Sequence, residues 1–277
     1  MQTLSSASQY LRREGITKFL RRGLKESRYR LRRANHWCRK YPVGFFVECR
    51  GNRWPLDGVT FSLDAPGIST QLKSGFFWGT YEKNERDFVT RYVRRDLPVI
   101  EGGACIGVVA CITNKLLDDP TKHVVVEANP ELLPTLTKNR DRNGCGFEIV
   151  PAAIDQHGKT VTFHIFRNFL GGSVQLPSKK TVTVDAVTIG SLIKERGWDQ
   201  ISLILDIEGA EIDLINEEAQ VLRDHVAVMI VEMHPGTTGE QSVTNAIAKI
   251  KRLGFSQKEH RDTVYVFTKT PDIPTPS

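Results

Sequence analysis

The chain has 277 residues, of which 40% are hydrophobic and 25% are charged, and its formal net charge is +6. No apolar run approaches the roughly 18 residues of a membrane span, and the polar, basic N-terminus lacks the apolar core of a signal peptide. The five cysteines form no C-x-x-C pair, so we expect reduced thiols in a cytoplasmic protein and no zinc site.

The basic residues are concentrated at the N-terminus. Residues 1–40 contain 12 Lys and Arg residues against two acidic residues, a net charge of +10, so the rest of the chain is net acidic. Apolar residues recur here at roughly helical spacing, and we predict a basic helical extension over residues 1–42. Packing on the domain as a solvated helix and peripheral contact with a membrane surface both stay open. Nucleic acid is not an expected partner, because no recognised reader motif accompanies the charge.

Residues 43–78 are predicted to form a small β element, with turn signals on both sides of a strand at Val59–Leu63. The next helix is expected to begin near Thr80, which is placed to cap it. Two roles stay open for Tyr81 and Glu82: closing over a bound cofactor, or packing at the start of this helix.

Residues 79–270 are predicted to form the main domain, which is organised around the stretch 97–107. A short apolar run ends in Glu101, turns through glycines and enters a helix-like stretch, as at the start of a nucleotide-binding α/β domain. A dinucleotide fingerprint would need a glycine in place of Ala104, and Glu101 would repel a pyrophosphate. The order Glu101-x-Gly103-x-x-x-Gly107 suits S-adenosylmethionine (SAM), whose ammonium a strand-end carboxylate attracts directly or through water. The cofactor-binding candidates here are Glu101, Gly102, Gly103, Ala104 and Gly107.

The second predicted strand, His123–Glu127, ends in an acid 20 residues after Gly107. A carboxylate at a strand tip can accept both ribose hydroxyls of an adenosyl group. Ala128 and Asn129 follow as further cofactor candidates, and Pro130 is placed to start the next helix.

The third predicted strand, Phe147–Val150, leads into a loop that should flank the adenine ring. Ala153 is small enough to lie against a flat ring, while Asp155 either accepts the exocyclic amine or closes a turn. Further along, the Gly-rich loop Asn168–Ser173 is expected to face the substrate.

Two later strands place ionisable residues at the same edge of the sheet. Ile201–Leu205 is followed by Asp206 and Glu208, and the strand Val226–Glu232 is followed by His234. In a parallel sheet these carboxyl ends lie side by side, next to the turn that follows Glu101. Burying acidic residues at this edge costs desolvation free energy. A functional explanation is therefore favoured for the group of Asp206, Glu208, Glu232 and His234.

The C-terminal part of the domain is predicted to end the sheet differently. A helix over Gly239–Leu253 precedes two strands, Phe255–His260 and Thr263–Thr268, that form a closing antiparallel hairpin. The Pro-rich residues 271–277 are expected to be a loose tail.

With these residues in place, the chain resembles the FkbM family of SAM-dependent methyltransferases. The resemblance implies an α/β fold, the doubly wound Rossmann-like sheet of class I SAM methyltransferases with an antiparallel last strand, and O-methylation of a sugar or polyketide hydroxyl. The family usually has Asp and Asn where this chain has Glu101 and Cys105, and glutamate keeps the charge. The matching stretches are Gly79–Glu82, Val99–Gly107, Val126–Pro130, Leu205–Glu211 and Val231–Pro235.

The expected chemistry is methyl transfer to the hydroxyl of a small-molecule or glycan acceptor. An alcohol does not ionise at neutral pH, so we expect His234 to act as the base, with Asp206 and Glu208 positioning the hydroxyl or orienting the imidazole. A divalent cation held by Asp206 and Glu232 is the alternative. A non-catalytic SAM-binding or scaffold protein, a NAD-dependent oxidoreductase and a nucleic-acid methyltransferase are the rival functions.

Overall fold

The computed structural model describes residues 40–166, 172–175 and 178–269. Almost all of the predicted basic extension, most of the loop Asn168–Ser173 and the tail 271–277 therefore lie outside the described residues. Within the described ranges, none of the helices combines the length and apolarity that crossing a bilayer requires.

The helices and strands of the described residues are numbered in chain order. The helices are α1 (40–49), α2 (Thr70–Phe77), α3 (Lys83–Tyr92), α4 (Val108–Leu116), α5 (Leu133–Arg142), α6 (Ile189–Arg196), α7 (Glu211–Glu217), α8 (Ala219–His225), α9 (Pro235–Thr238) and α10 (Glu240–Arg252). The strands are β1 (Arg53–Leu56), β2 (Val59–Ser62), β3 (Val99–Gly102), β4 (His123–Val126), β5 (Glu148–Val150), β6 (Ala152–Ile154), β7 (Thr160–Ile165), β8 (Gly172–Ser173), β9 (Lys180–Val187), β10 (Ile201–Leu205), β11 (Val226–Glu232), β12 (Phe255–Arg261) and β13 (Val264–Lys269).

The main sheet has seven strands in the order β12-β13-β11-β10-β3-β4-β5. Neighbouring strands pair in parallel except β13, which is antiparallel to both β11 and β12. The chain leaves β3 toward β4 and β5 and then returns to β10 on the other side, so the strand order reverses between β3 and β10. Ligands of doubly wound sheets bind at this reversal, outside the carboxyl ends of the strands. The predicted fold class, including the antiparallel last strand, is confirmed.

Alternating side chains of the sheet bury two hydrophobic layers. Val99, Val125 and Ile204 pack on one face with residues of α3 and α4, while Ile100 and Leu203 face the opposite layer with residues of α6, α7 and α10. Burial on both faces explains why these strands are almost continuously apolar.

A second sheet, in the order β6-β9-β7-β8, follows the carboxyl end of β5. The loop predicted around Ala153 is instead the strand β6, so that prediction is wrong. Ala153 pairs in parallel with Ala186 of β9. The pairing partner lies more than 30 residues further along the chain, which local sequence pattern does not reveal.

The segment 43–78 contains the hairpin β1–β2, and the predicted strand at Val59 is confirmed. The helices on either side of the hairpin were not predicted, although Ser69 caps α2 by accepting a hydrogen bond from the Leu72 amide at 3.2 Å. Phe61 and Phe76 are fully buried in the same layer as residues of the main sheet. This segment therefore shares its core with the main domain.

Three predicted helix boundaries need correction. Helix α3 begins at Lys83 and its N-cap is Glu82, in a left-handed conformation with φ 44°; the Thr80 hydroxyl instead donates to Gly75 O at 3.5 Å. Helix α5 begins at Leu133 rather than at Pro130, with a different proline in its first turn. The helix after Glu211 divides into α7 and α8.

Candidate active site

A cleft of about 940 Å³ lies at the carboxyl ends of four neighbouring strands. Gly102 of β3 is level with Val126 of β4 and with Leu205 of β10, so the residues that follow these strands reach the cleft together. The predicted site residues that line it are Tyr81, Glu82, Gly103, Glu127, Ala128, Asn129, Ala153, Asp206, Glu208, Glu232 and His234.

The other predicted cofactor residues lie beside or beneath this cleft. Glu101, Gly102 and Ala104 line a smaller adjoining cavity, which Glu82, Glu85, Asp206 and Glu232 share. Gly107 starts α4 below the turn. Asp155 accepts a hydrogen bond from the His157 amide at 2.8 Å, as a residue that closes a turn does.

The glycine turn after β3 is shaped by close approach to β10. Gly103 has φ 84°, and a Cβ at this position would lie 1.7 Å from the carbonyl oxygen of Asp206. Gly107 has φ 83°, and its Cβ would lie 2.6 Å from the Leu136 side chain. Both positions favour glycine because of their backbone conformation, and at Gly103 a Cβ would also overlap with the backbone of Asp206.

Glu127 joins the glycine turn to the tip of β4. Its two carboxylate oxygens accept backbone hydrogen bonds from Cys105 and Asn129, each at 2.7 Å. Burial raises the pKa of Glu127 to about 7, against the lowering effect of these hydrogen bonds. Each carboxylate oxygen has a second lone pair, so the side chain can still accept hydrogen bonds from a ligand in the cleft.

Glu101 is buried, with 2% of its surface exposed. Its Oε2 has no hydrogen-bond partner among the described residues and lies 3.6 Å from Nε2 of His123. Burial raises the pKa of Glu101 to about 8 and lowers the pKa of His123 to about 3. Both groups are therefore mostly neutral at pH 7. A backbone hydrogen bond from Ala110 opposes the rise in the pKa of Glu101, while Oε2 remains without a hydrogen-bond partner among the described residues.

Several carboxyl groups lie close together in the cleft and its adjoining cavity. Burial raises the pKa of Glu82 to about 8, and the charges of Glu85, Glu101 and Glu232 add to the effect. Burial and the contact with Glu232 raise the pKa of Glu85 to about 7. This crowding favours binding of a cation, because positive charge lets neighbouring acids ionise together.

His234 lies at the centre of these acids. Its Nε2 is 3.4 Å from Asp206 Oδ1 and 3.5 Å from Glu208 Oε2, and its Nδ1 is 3.2 Å from Glu211 Oε1. Burial lowers the pKa of His234, but Glu211, Glu208 and Glu232 outweigh that effect and raise it to about 8.

The carboxyl groups that face His234 carry shifts of their own. Burial and neighbouring carboxylates raise the pKa of Asp206 well above its usual range. Burial also raises the pKa of Glu208, while the charge of His234 lowers it.

Glu211 is a site residue that the sequence pattern did not indicate. It is fully buried at the start of α7, and its carboxylate accepts hydrogen bonds from the Ile207 and Gly209 amides at 2.8 and 2.9 Å. Those contacts fix the oxygen that faces Nδ1 of His234. The spacing of three residues from Glu208 was the signal that could have suggested it.

The turn between β10 and α7 explains why Glu208 and Glu211 both lie next to His234. Glu208 has φ 55° and Gly209 has φ 110°, and a Cβ at Gly209 would lie 2.8 Å from Thr237 Cγ2. The tight turn brings Glu208 and Glu211 to opposite sides of the His234 ring.

Three of these residues could also share a metal ion. One ligand atom each from Asp206, Glu232 and His234 lies within 4.8 Å of the others. Carboxylate and imidazole donors suit several divalent cations.

Residues 101–257 match the family described as the methyltransferase FkbM domain, which is more than half of the chain. The chain belongs to the FkbM methyltransferase family. The match includes the glycine turn, Glu127 and all residues around His234, and it identifies a SAM-dependent methyltransferase rather than a NAD-dependent oxidoreductase. A comparison with curated proteins gives no match.

Several solved structures are similar to this FkbM methyltransferase. An rRNA methylase from Streptococcus thermophilus has 8% identity and a TM-score of 0.42, covering 67% of this chain and 94% of its own. A ribosomal protein L11 methylase from Lactobacillus delbrueckii subsp. bulgaricus has 13% identity and a TM-score of 0.41, covering 69% and 80%. A precorrin-6y C5,15-methyltransferase from Geobacter metallireducens has 14% identity and a TM-score of 0.40, covering 67% and 87%.

Proposed function

We propose that this protein is an O-methyltransferase that transfers the methyl group of SAM to a hydroxyl of a sugar or another small-molecule or glycan acceptor. The observation that carries the proposal is the His234 imidazole, which contacts Glu211 through Nδ1 and faces Asp206 and Glu208 through Nε2.

The lining of the cleft supports SAM as its ligand. Leu132, Ala153 and Phe163 line an apolar part that suits an adenine ring, and the carboxyl groups around Glu82 suit a cationic methionine moiety. Glu127 retains lone pairs for ribose hydroxyls, and Gly103 lines the cleft without a side chain. The unpartnered Oε2 of Glu101 is a further acceptor for the ammonium, directly or through water. When bound, SAM supplies a methyl group on a sulfonium, which is an electrophile.

The protein's own part in the reaction is to remove a proton. The acceptor hydroxyl gives its proton to Nε2 of neutral His234, and the resulting imidazolium lies between the carboxyl groups of Asp206, Glu208 and Glu211. A positioned general base contributes about 10²- to 10⁴-fold to a rate. Because the pKa of His234 is about 8, turnover should increase as the pH rises through about 8.

A divalent cation on Asp206, Glu232 and His234 is the second candidate mechanism, supported by donor atoms within 4.8 Å of one another. A cation there would lower the pKa of a bound hydroxyl. It would also occupy His234, so the histidine could not act as the base. Equilibrium dialysis of Mg²⁺ and Mn²⁺ against the full chain and against Glu232→Gln separates the two mechanisms without an activity assay.

The proposal is tested with the full chain, SAM and a panel of hydroxylated acceptors. We expect release of S-adenosylhomocysteine, which also excludes a non-catalytic SAM-binding scaffold, and a loss of about 10²-fold or more in His234→Ala. Calorimetry with S-adenosylhomocysteine should show unchanged binding to that variant. Full turnover by His234→Ala, with cofactor binding retained, would remove the base assignment.

A further inference from the structure

An aromatic patch lies on the surface of the N-terminal segment. The described residues have four exposed large hydrophobic side chains, all between residues 41 and 78. Phe46 and Trp78, 46% and 57% exposed, belong to a group with the half-buried Trp54 and Phe77. These four rings, called the aromatic patch below, have neighbouring centroids 4.8 to 6.2 Å apart.

The aromatic patch belongs to a fixed part of the fold. Glu48 of α1 accepts hydrogen bonds from Thr70 and Lys73 of α2, both at 2.8 Å. A Cβ at Gly44 would lie 1.7 Å from the Thr70 carbonyl oxygen, so the two helices are in close contact. Val47 is fully buried beneath them. The exposure of Phe46 is therefore a property of the folded protein.

An arginine contacts two of these rings, and further basic residues lie close to them in the sequence. The Arg50 guanidinium lies 5.9 Å from the Phe46 centroid and 5.8 Å from the Trp54 centroid. Arg50 and Arg53 are exposed and have no ion pair with any described residue. Residues 1–40, which carry a net charge of +10, lead directly into α1.

We propose that the aromatic patch is a docking surface for an anionic phospholipid bilayer. Aromatic side chains favour the headgroup level of a membrane, and basic residues are attracted to anionic lipids. The combination supplies the two signals that stable peripheral attachment needs. A second copy of the chain is a poorer occupant, because two segments of +10 charge would repel each other.

Docking in this way would bring the active-site cleft to the membrane surface. Lys40, Gln71 and Leu72, which line the cleft, belong to the same two helices, α1 and α2, that carry Phe46 and Phe77. A hydroxyl acceptor at the bilayer surface would therefore lie close to the cleft.

Vesicle co-sedimentation of the full chain tests this surface without methyl donor or acceptor, so its outcome is independent of the proposed function. We expect binding to phosphatidylcholine vesicles that contain phosphatidylserine, little binding to phosphatidylcholine alone, and weakening by salt. Arg50→Glu should lower the partition coefficient by about 30-fold, because reversing a charge changes the binding free energy by about twice the contribution of one basic residue. Trp78→Ala should lower it by several-fold. Arg252→Glu, an exposed arginine on α10, is the matched control and should bind like the wild type.

Three outcomes would overturn the proposal. The first is no binding of the wild type to anionic vesicles, and the second is wild-type binding by both Arg50→Glu and Trp78→Ala with melting temperatures unchanged. The third is a different occupant: a dimer in analytical ultracentrifugation that Trp78→Ala abolishes, or selective binding of an RNA homopolymer with anionic vesicles left unbound.

Discussion

Glu211→Gln is expected to lower the pKa of His234 by at least about one unit. In the wild type, that pKa is raised from 6.5 to about 8 although burial opposes protonation, and Glu211 is the largest of the raising influences. A rise of 1.5 units corresponds to about 2 kcal/mol in favour of the imidazolium. Glutamine removes the charge 3.2 Å from Nδ1, so burial is then opposed mainly by the weaker effects of Glu208 and Glu232. We therefore expect a pKa at or below 6.5 in the variant.

This change has a direct consequence for catalysis. At pH 7 only about a tenth of His234 is neutral when its pKa is 8, whereas about three quarters is neutral when its pKa is 6.5. The ascending limb of the pH–rate profile should move to lower pH in Glu211→Gln. The plateau rate should fall, because a weaker base is held less firmly and its imidazolium is less well stabilised.

The measurement is a titration of the imidazole nitrogens by NMR in the full chain, which has seven histidines. Comparison with His234→Ala assigns the resonance, and no acceptor is needed. Glu217→Gln is the matched control, since Glu217 lies on the same helix but pairs with His157 at 3.8 Å. An unchanged or higher pKa of His234 in Glu211→Gln, with the fold intact by circular dichroism, would refute the reasoning.

Two further predictions concern the glycine turn and the acid before it. Burial raises the pKa of Glu101 from 4.5 to about 8, so ionisation favours the unfolded chain as the pH rises through this range, by up to about 5 kcal/mol. The free energy of unfolding, measured with urea, should fall less between about pH 5 and about pH 8 in Glu101→Gln than in the wild type. An equal fall in both proteins would contradict this. Gly103→Ala should lower the unfolding midpoint far more than Gly197→Ala, because both positions have positive φ but only the first Cβ meets backbone, at 1.7 Å from Asp206; similar midpoints would contradict the packing argument.

Much of the site could be predicted because strand ends carry a strong pattern. An apolar run that stops at an acid marks both a buried strand and the edge where ligands bind, so Glu127, Asp206 and His234 were predicted together and all line the cleft. Glu101 was predicted by the same rule, yet it lies in the adjoining cavity. It is the third residue of β3, two positions after Val99, so its side chain points to the same face of the sheet as Val99.

The features that were missed depend on partners far along the chain. Ala153 belongs to a strand because it pairs with Ala186, and the local sequence around either residue does not predict this pairing. In the sequence, Glu211 has the pattern of an ordinary acidic residue in the first turn of a helix. In the structure, the turn at Gly209 places it next to His234. Both features thus depend on tertiary contacts, which the local sequence pattern does not predict.

The most direct test of the central claim is calorimetric titration of the full chain with S-adenosylhomocysteine. We predict saturable one-to-one binding that Glu127→Gln weakens about tenfold or more, because an amide has only one acceptor oxygen and cannot accept both backbone hydrogen bonds and hydrogen bonds from ribose hydroxyls. Glu131→Gln, in the turn that follows, should bind like the wild type. A folded wild-type protein that gives no binding heat, or equal affinity in Glu127→Gln and the wild type, would contradict the claim that these strand tips hold the methyl donor.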